Sequence, residues 1–136
     1  MTKAYSEQRP PLALDSSLMK DNGIVKKYHH IGIPTDIVQP EEMYLEKLKL
    51  YCTDHESNPF GIQWMRFEAD CPLPELVKTV PHVAFEVDDL ERALSGHEIL
   101  IEPNSPSDGV VVAFVVCDGA PVEFLEFSNP SSGDPC

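Results

Sequence analysis

The chain has 136 residues, with 10 Lys and Arg against 23 Asp and Glu, a formal net charge of −13. Its length suits one domain with a sizeable apolar interior, and 42% hydrophobic with 24% charged residues excludes wholesale disorder. The acidity is uneven: residues 1–68 carry 8 basic and 10 acidic side chains and residues 69–136 carry 2 and 13, which excludes a surface that tracks nucleic-acid phosphates or anionic lipid.

Residues 1–24 are polar, contain Pro10-Pro11 and hold no sustained period, so they read as a loosely ordered N-terminal arm. The first ten residues have neither an apolar core nor a small-residue cleavage site, so no secretory signal is expected. Residues 24–34 are β-rich and are punctuated by Thr35-Asp36. Residues 40–48 then predict a helix, with Pro40 and two glutamates in the first turn and Tyr44, Leu45 and Leu48 as an apolar stripe. A short strand at 50–53, a turn at Asn58-Pro59-Phe60-Gly61 and a strand at 62–67 follow, and then a proline-bearing linker to Pro81. The order then repeats. Strand 82–87 leads to a short helix at 88–94 with an acidic start, which Gly96 ends. A strand at 98–102, a loop at 104–109, a strand at 110–117, the tight turn Asp118-Gly119 and a strand at 122–127 complete it. Residues 128–136 have the composition of a flexible tail.

The longest apolar run, residues 110–117, falls far short of the ~18 residues that span a bilayer, and a cytoplasmic location is the expectation. Cys52, Cys71, Cys117 and Cys136 stand far apart with no C-x-x-C pair, so zinc-finger and disulfide-rich readings fail and reduced thiols are expected.

The chain also resembles itself. His30-Ile31-Gly32-Ile33-Pro34-Thr35-Asp36 mirrors His82-Val83-Ala84-Phe85-Glu86-Val87-Asp88, and Ile62-Gln63-Trp64-Met65 mirrors Val122-Glu123-Phe124-Leu125. The two histidines are 52 residues apart, and Gln63 and Glu123 are 60 apart. The second unit is therefore longer by about one strand, and the first lacks a full equivalent of 110–117. Two β-α-β-β-β modules, 25–80 with its linker and 81–127, are expected, the first abbreviated.

Strand parity places His30 on one face with Gly32, and His82 with Ala84, opposite the apolar face that packs a helix. Each imidazole thus stands beside a small residue that leaves a cavity in front of it. Gln63 shares a face with Met65, and Glu123 with Leu125 and Phe127, where a carboxylate is costly unless paired or bound to a cation. Two imidazoles, one carboxylate and one amide oxygen suit a divalent metal ion (Zn, Ni, Co, Mn or Fe).

Tyr28-His29-His30-Ile31-Gly32-Ile33, residues 81–90 and residues 118–126, in this order and at these intervals, resemble the vicinal oxygen chelate superfamily over roughly residues 27–127. That superfamily includes glyoxalase I, methylmalonyl-CoA epimerase, extradiol dioxygenases and bleomycin-resistance proteins. The resemblance implies an α+β fold, with the two modules forming a half-open curved mixed sheet around a metal or ligand cavity. It implies His30, Gln63, His82 and Glu123 as metal ligands, one per strand, with a plain strand residue as the competing reading of Gln63. Glu123 is the proton-transfer group if it swings off the metal and purely a ligand otherwise. A glutamine at position 63 is similar to the epimerase pattern, whereas many glyoxalases carry glutamate there. The implied activity is proton transfer α to a carbonyl through a metal-stabilised enediolate, on a small substrate with adjacent oxygens, in a homodimer.

Two alternatives accompany it: an Fe(II) ring-cleaving dioxygenase using His30, His82 and Glu123, and a metal-free small-molecule binding protein of the same fold. Parity puts His29 on the face with Ile31 and Ile33, which selects His30 over it. Glu126 shares a face with Val122 and Phe124, which selects Glu123. Glu86 reads as a rim residue, Asp88, Asp89 and Glu91 as helix N-terminal acids, and His55 and His97 as solvated.

Overall fold

The alternation of apolar and small residues produces strands where the sequence predicts them, and the pairing of those strands sets the site. The computed structural model describes residues 24–128. Most of the expected N-terminal arm (1–24) and flexible C-terminal tail (128–136) lies outside the described residues. Eight strands are present among them: β1 (Lys26–Pro34), β2 (Met43–Leu45), β3 (Leu50–Cys52), β4 (Ile62–Phe67), β5 (His82–Val87), β6 (Glu98–Ser107), β7 (Val110–Cys117) and β8 (Ala120–Phe127). Two short helices join them, α1 (Glu75–Thr79) and α2 (Leu90–Leu94).

All eight strands form one curled mixed sheet, a half-barrel of order β2-β3-β4-β1-β5-β8-β7-β6. From the centre outwards each half reads the same way: β1 then β4, β3, β2, and β5 then β8, β7, β6. β1 and β5 meet antiparallel at the middle, and each pairs parallel with the last strand of its own half. The internal repeat of the sequence is therefore a repeat of the sheet.

The first half is abbreviated as expected at its equivalent of residues 110–117, and departs from the expectation in a second place. It keeps four strands, with β3 standing where β7 stands in the second half but at three residues instead of eight. What it lacks is the helix. Residues 40–48 hold β2 and a turn instead, with Glu41 and Lys49 at positive φ of 61° and 56°. Nine residues are too few for a self-sustaining helix, and Gln39 is a poor N-cap before Pro40. Glu42 is instead drawn across to β4, where its carboxylate pairs with the Arg66 guanidinium and also accepts from the Gln39 amide (3.1 Å). β2 then continues the sheet edge, with Tyr44 opposite Tyr51.

Helix α1 lies in what reads as a linker. Pro74 precedes it, Glu75 occupies its first turn and Lys78 its last, and it buries Val77. Helix α2 is capped by the Asp89 carboxylate, which accepts from the Arg92 amide (3.1 Å), as an acidic helix start predicts. β6 runs through residues expected as a loop. As an edge strand it tolerates Pro103 and Pro106 with repeated register shifts against β7. Asp118 and Gly119, at φ 52° and 82°, form the two-residue turn between β7 and β8.

Two layers of apolar packing flank the sheet. On the helix side Val87, Leu90, Ala93, Ala113, Val115 and Phe124 form one cluster, which also buries Ile24. On the other side Ala84, Val110, Val112 and Leu125 form a second, and Leu50, Cys52 and Met65 a third. Cys71 and Cys117 are free thiols, whereas Cys52 is disulfide-bonded, against the expectation of reduced cysteines. No helix among the described residues is long and apolar enough to cross a membrane.

Candidate metal centre

Cross-strand register assembles the site in two rows. Gln63 on β4, Gly32 on β1 and His82 on β5 are successive partners in one row. His30 on β1, Ala84 on β5 and Glu123 on β8 form the other. In both rows a small residue separates two functional ones, as parity requires. Gly32 is necessary: a Cβ there would lie 2.3 Å from His82 Cε1.

All four expected residues are buried and line one cavity of about 100 Å³. Three converge closely. His30, His82 and Glu123 each offer a ligand atom, and these atoms lie within 4.8 Å of one another. His82 Nε2 is 3.0 Å and His30 Nε2 3.3 Å from the same oxygen, Glu123 Oε1. The His82 ring packs edge-on against Phe114 (5.0 Å between centroids) and against His30 (5.5 Å). Gln63 lines the same cavity from β4.

The electrostatics follow from burial and pairing. Burial pushes the Glu123 carboxyl up, but hydrogen bonding and charge from the two imidazoles outweigh it and hold it at about 2. A carboxylate is thereby kept ionised where desolvation alone would neutralise it. The donor set suits a divalent cation. Ligand atoms ~2.1 Å from a shared ion lie ~3.0–3.4 Å apart in octahedral or tetrahedral coordination, and the two observed nitrogen–oxygen separations match this. His30, His82 and Glu123 could therefore hold a metal ion.

The other acids take local roles. Glu126 Oε1 accepts from the Leu90 amide (2.8 Å) at the start of α2, so it serves the helix. His97 is exposed, as expected. Two other histidines depart from the reading. His55 is buried on a 3-10 turn (His55–Ser57), with its ring 4.4 Å from that of His29. His29 is not set apart from His30, because β1 bulges between Tyr28 and His30 and the alternation slips by one residue there. The two Nδ1 atoms are 2.7 Å apart. Burial, followed by the neighbouring charges of His30 and His55, lowers the His29 pKa to about 4. The sequence signal for this tier was only the His29-His30 doublet, since parity cannot register a bulge.

No known protein-family profile matches the chain, and no curated protein matches it. Its fold is shared with a crystal structure of a hypothetical protein from Bacillus halodurans C-125. The two superpose with a TM-score of 0.61 at 18% identity, over 79% of this chain and 99% of the other. The resemblance is one of fold.

Proposed function

We propose that the protein is a divalent-metal-dependent enzyme of the vicinal oxygen chelate type, moving a proton α to a carbonyl on a small substrate with adjacent oxygens. The observation that carries this reading is the convergence of two imidazole nitrogens on one buried carboxylate oxygen at 3.0 and 3.3 Å. His30, His82 and Glu123 would hold the ion, with Gln63 beside them. When bound, the cation supplies Lewis-acid polarisation of a substrate carbonyl. Glu123 holds its negative charge in the cavity and is the chain's group for taking up and returning the proton.

The cavity wall supports a compact substrate with an apolar body. Apart from the site residues, Asn104 and Cys52, its lining among the described residues is Leu45, Leu48, Leu50, Met65, Leu73, Val77, Ile101, Pro106, Val112 and Phe114, with no Lys or Arg. A multiply charged carrier such as glutathione would find no counter-charge inside.

Metal analysis of the purified untagged protein tests the reading. We expect one divalent ion per chain, lost in His30→Ala and in His82→Ala, and deuterium exchange α to the carbonyl of small 2-oxo compounds. Two histidines and a carboxylate also suit Fe(II), and oxygen uptake with Fe(II) and a catechol would favour ring cleavage instead. No metal affinity together with unchanged small-molecule binding in both histidine variants would sink both enzymatic readings.

A further inference from the structure

Behind the three converging side chains stands a second tier of imidazoles that the proposed chemistry does not use. β1 carries two consecutive histidines, and the bulge between Tyr28 and His30 brings their rings together with Nδ1 atoms 2.7 Å apart. The His29 ring in turn lies 4.4 Å from His55 and 5.7 Å from Phe127, centroid to centroid. His55 is itself buried, with Nδ1 3.7 Å from Asp54 Oδ1. Packing against both neighbours fixes the plane of His29.

The geometry points to His29 as the residue that positions His30, by accepting a hydrogen bond from His30 Nδ1–H and so leaving the lone pair of His30 Nε2 free for an ion held beside Glu123. This rests on the reading of His30, His82 and Glu123 as a cation site. An imidazole that binds an ion through Nε2 is neutral and keeps its proton on Nδ1, where a buried N–H needs an acceptor. Carboxylates, backbone carbonyls and water commonly take that place. Here the facing group is an imidazole. Accepting at Nδ1 puts the His29 proton on Nε2, so one contact fixes two tautomers. His82 has no such support among the described residues, where its buried Nδ1 meets no hydrogen-bond partner. The two imidazoles are thus held differently, His82 by packing and His30 by packing and a partner.

The test uses the full chain and Zn(II) alone, with affinity measured by competition against a chromophoric chelator. His29→Phe keeps a ring of the same outline and removes the acceptor. His29→Asn loses the ring but places a carbonyl oxygen near the former Nδ1. We expect His29→Phe to weaken zinc binding by about 10–100-fold and His29→Asn to recover most of it. Equal affinity in His29→Phe and wild type, or His29→Asn as weak as His29→Phe, overturns the role of His29 while leaving the cation site standing. No zinc uptake by wild type fails the cation site itself. Imidazole nitrogen NMR of the zinc-loaded wild type is independent of any variant's folding. It should show His30 protonated on Nδ1 and His29 on Nε2, and a proton on His29 Nδ1 refutes the proposal.

Discussion

Gly32→Ala tests the architecture of the site with a single methyl group. Gly32 faces His82 across the β1–β5 pair, and an alanine Cβ there would sit 2.3 Å from Cε1 and 2.8 Å from both ring nitrogens. Ordinary van der Waals contact begins near 3.4 Å, so the ring or the strand must yield by about 1 Å. The ring has little freedom: Phe114 and His30 pack against it and Nε2 is 3.0 Å from Glu123 Oε1. Overpacking of this kind costs about 1–3 kcal/mol. A displacement of about 1 Å also exceeds the ~0.5 Å tolerance of a preorganised site, so zinc affinity should fall more than about tenfold. Without a clash the same substitution would stabilise the protein by about 0.4–1 kcal/mol, by restricting the unfolded chain. The sign of the change therefore decides. Denaturant unfolding and zinc competition on Gly32→Ala supply both readouts. Combined with His82→Ala, which removes the obstructing ring, the added methyl group should become neutral or stabilising. A Gly32→Ala protein as stable as wild type with unchanged zinc affinity would falsify the claim that the glycine exists to seat the imidazole.

Three further outcomes are expected. His82→Ala should abolish zinc uptake and lower stability by up to about 3–5 kcal/mol in denaturant titrations, because it leaves a buried carboxylate with His30 as its one imidazole partner. Adding Glu123→Gln should restore much of that loss, and strict additivity of the two changes would count against the pairing. Gln63→Ala should weaken zinc binding while leaving the unfolding midpoint nearly unchanged, and unaltered affinity would reduce Gln63 to cavity wall. Arg66 holds the Glu42 carboxyl below its ordinary value of 4.5 through their hydrogen bond. A depressed carboxyl contributes stability above its unfolded pKa and loses it as pH falls through its folded one. The gap in melting temperature between wild type and Arg66→Met should therefore narrow on acidification from pH 7, and a gap that widens would contradict the pairing.

Most of the strand layout and the four cavity-lining residues were legible because the physics behind them is local. A strand has period two, so a histidine beside a glycine or alanine and opposite Val83, Phe85 and Val87 identifies its own face. The repeat added long-range information: two similar segments with similar faces imply two similar places in one sheet. What failed was non-local. The stripe of Tyr44, Leu45 and Leu48 has helical spacing, but Arg66, two dozen residues on, captures Glu42, and β3 supplies a sheet edge for residues 43–45. Propensity cannot weigh a partner that it does not see. His55 read as solvated because it sits at a loop edge, yet the 3-10 turn folds its ring onto His29.

The bulge in β1 gives the most instructive discrepancy. Parity selects His30, which does lie against Glu123, and by the same logic assigns His29 to the far face. One inserted residue in the pairing cancels that second inference without touching the first, because the register recovers at His30 opposite Ala84. Bulges re-aim side chains, and this one places an imidazole behind the ligand candidate on which the site depends. The net charge of −13 can be placed in the same terms. Glu42 pairs with Arg66, Asp89 caps α2 and Glu126 serves the start of that helix. Glu123 differs from these: it is buried, held ionised by two imidazoles, and set in an otherwise apolar cavity. Replacing such an arrangement by well-packed apolar side chains is often neutral or stabilising, so stability alone does not account for it, whereas the proposed cation site does.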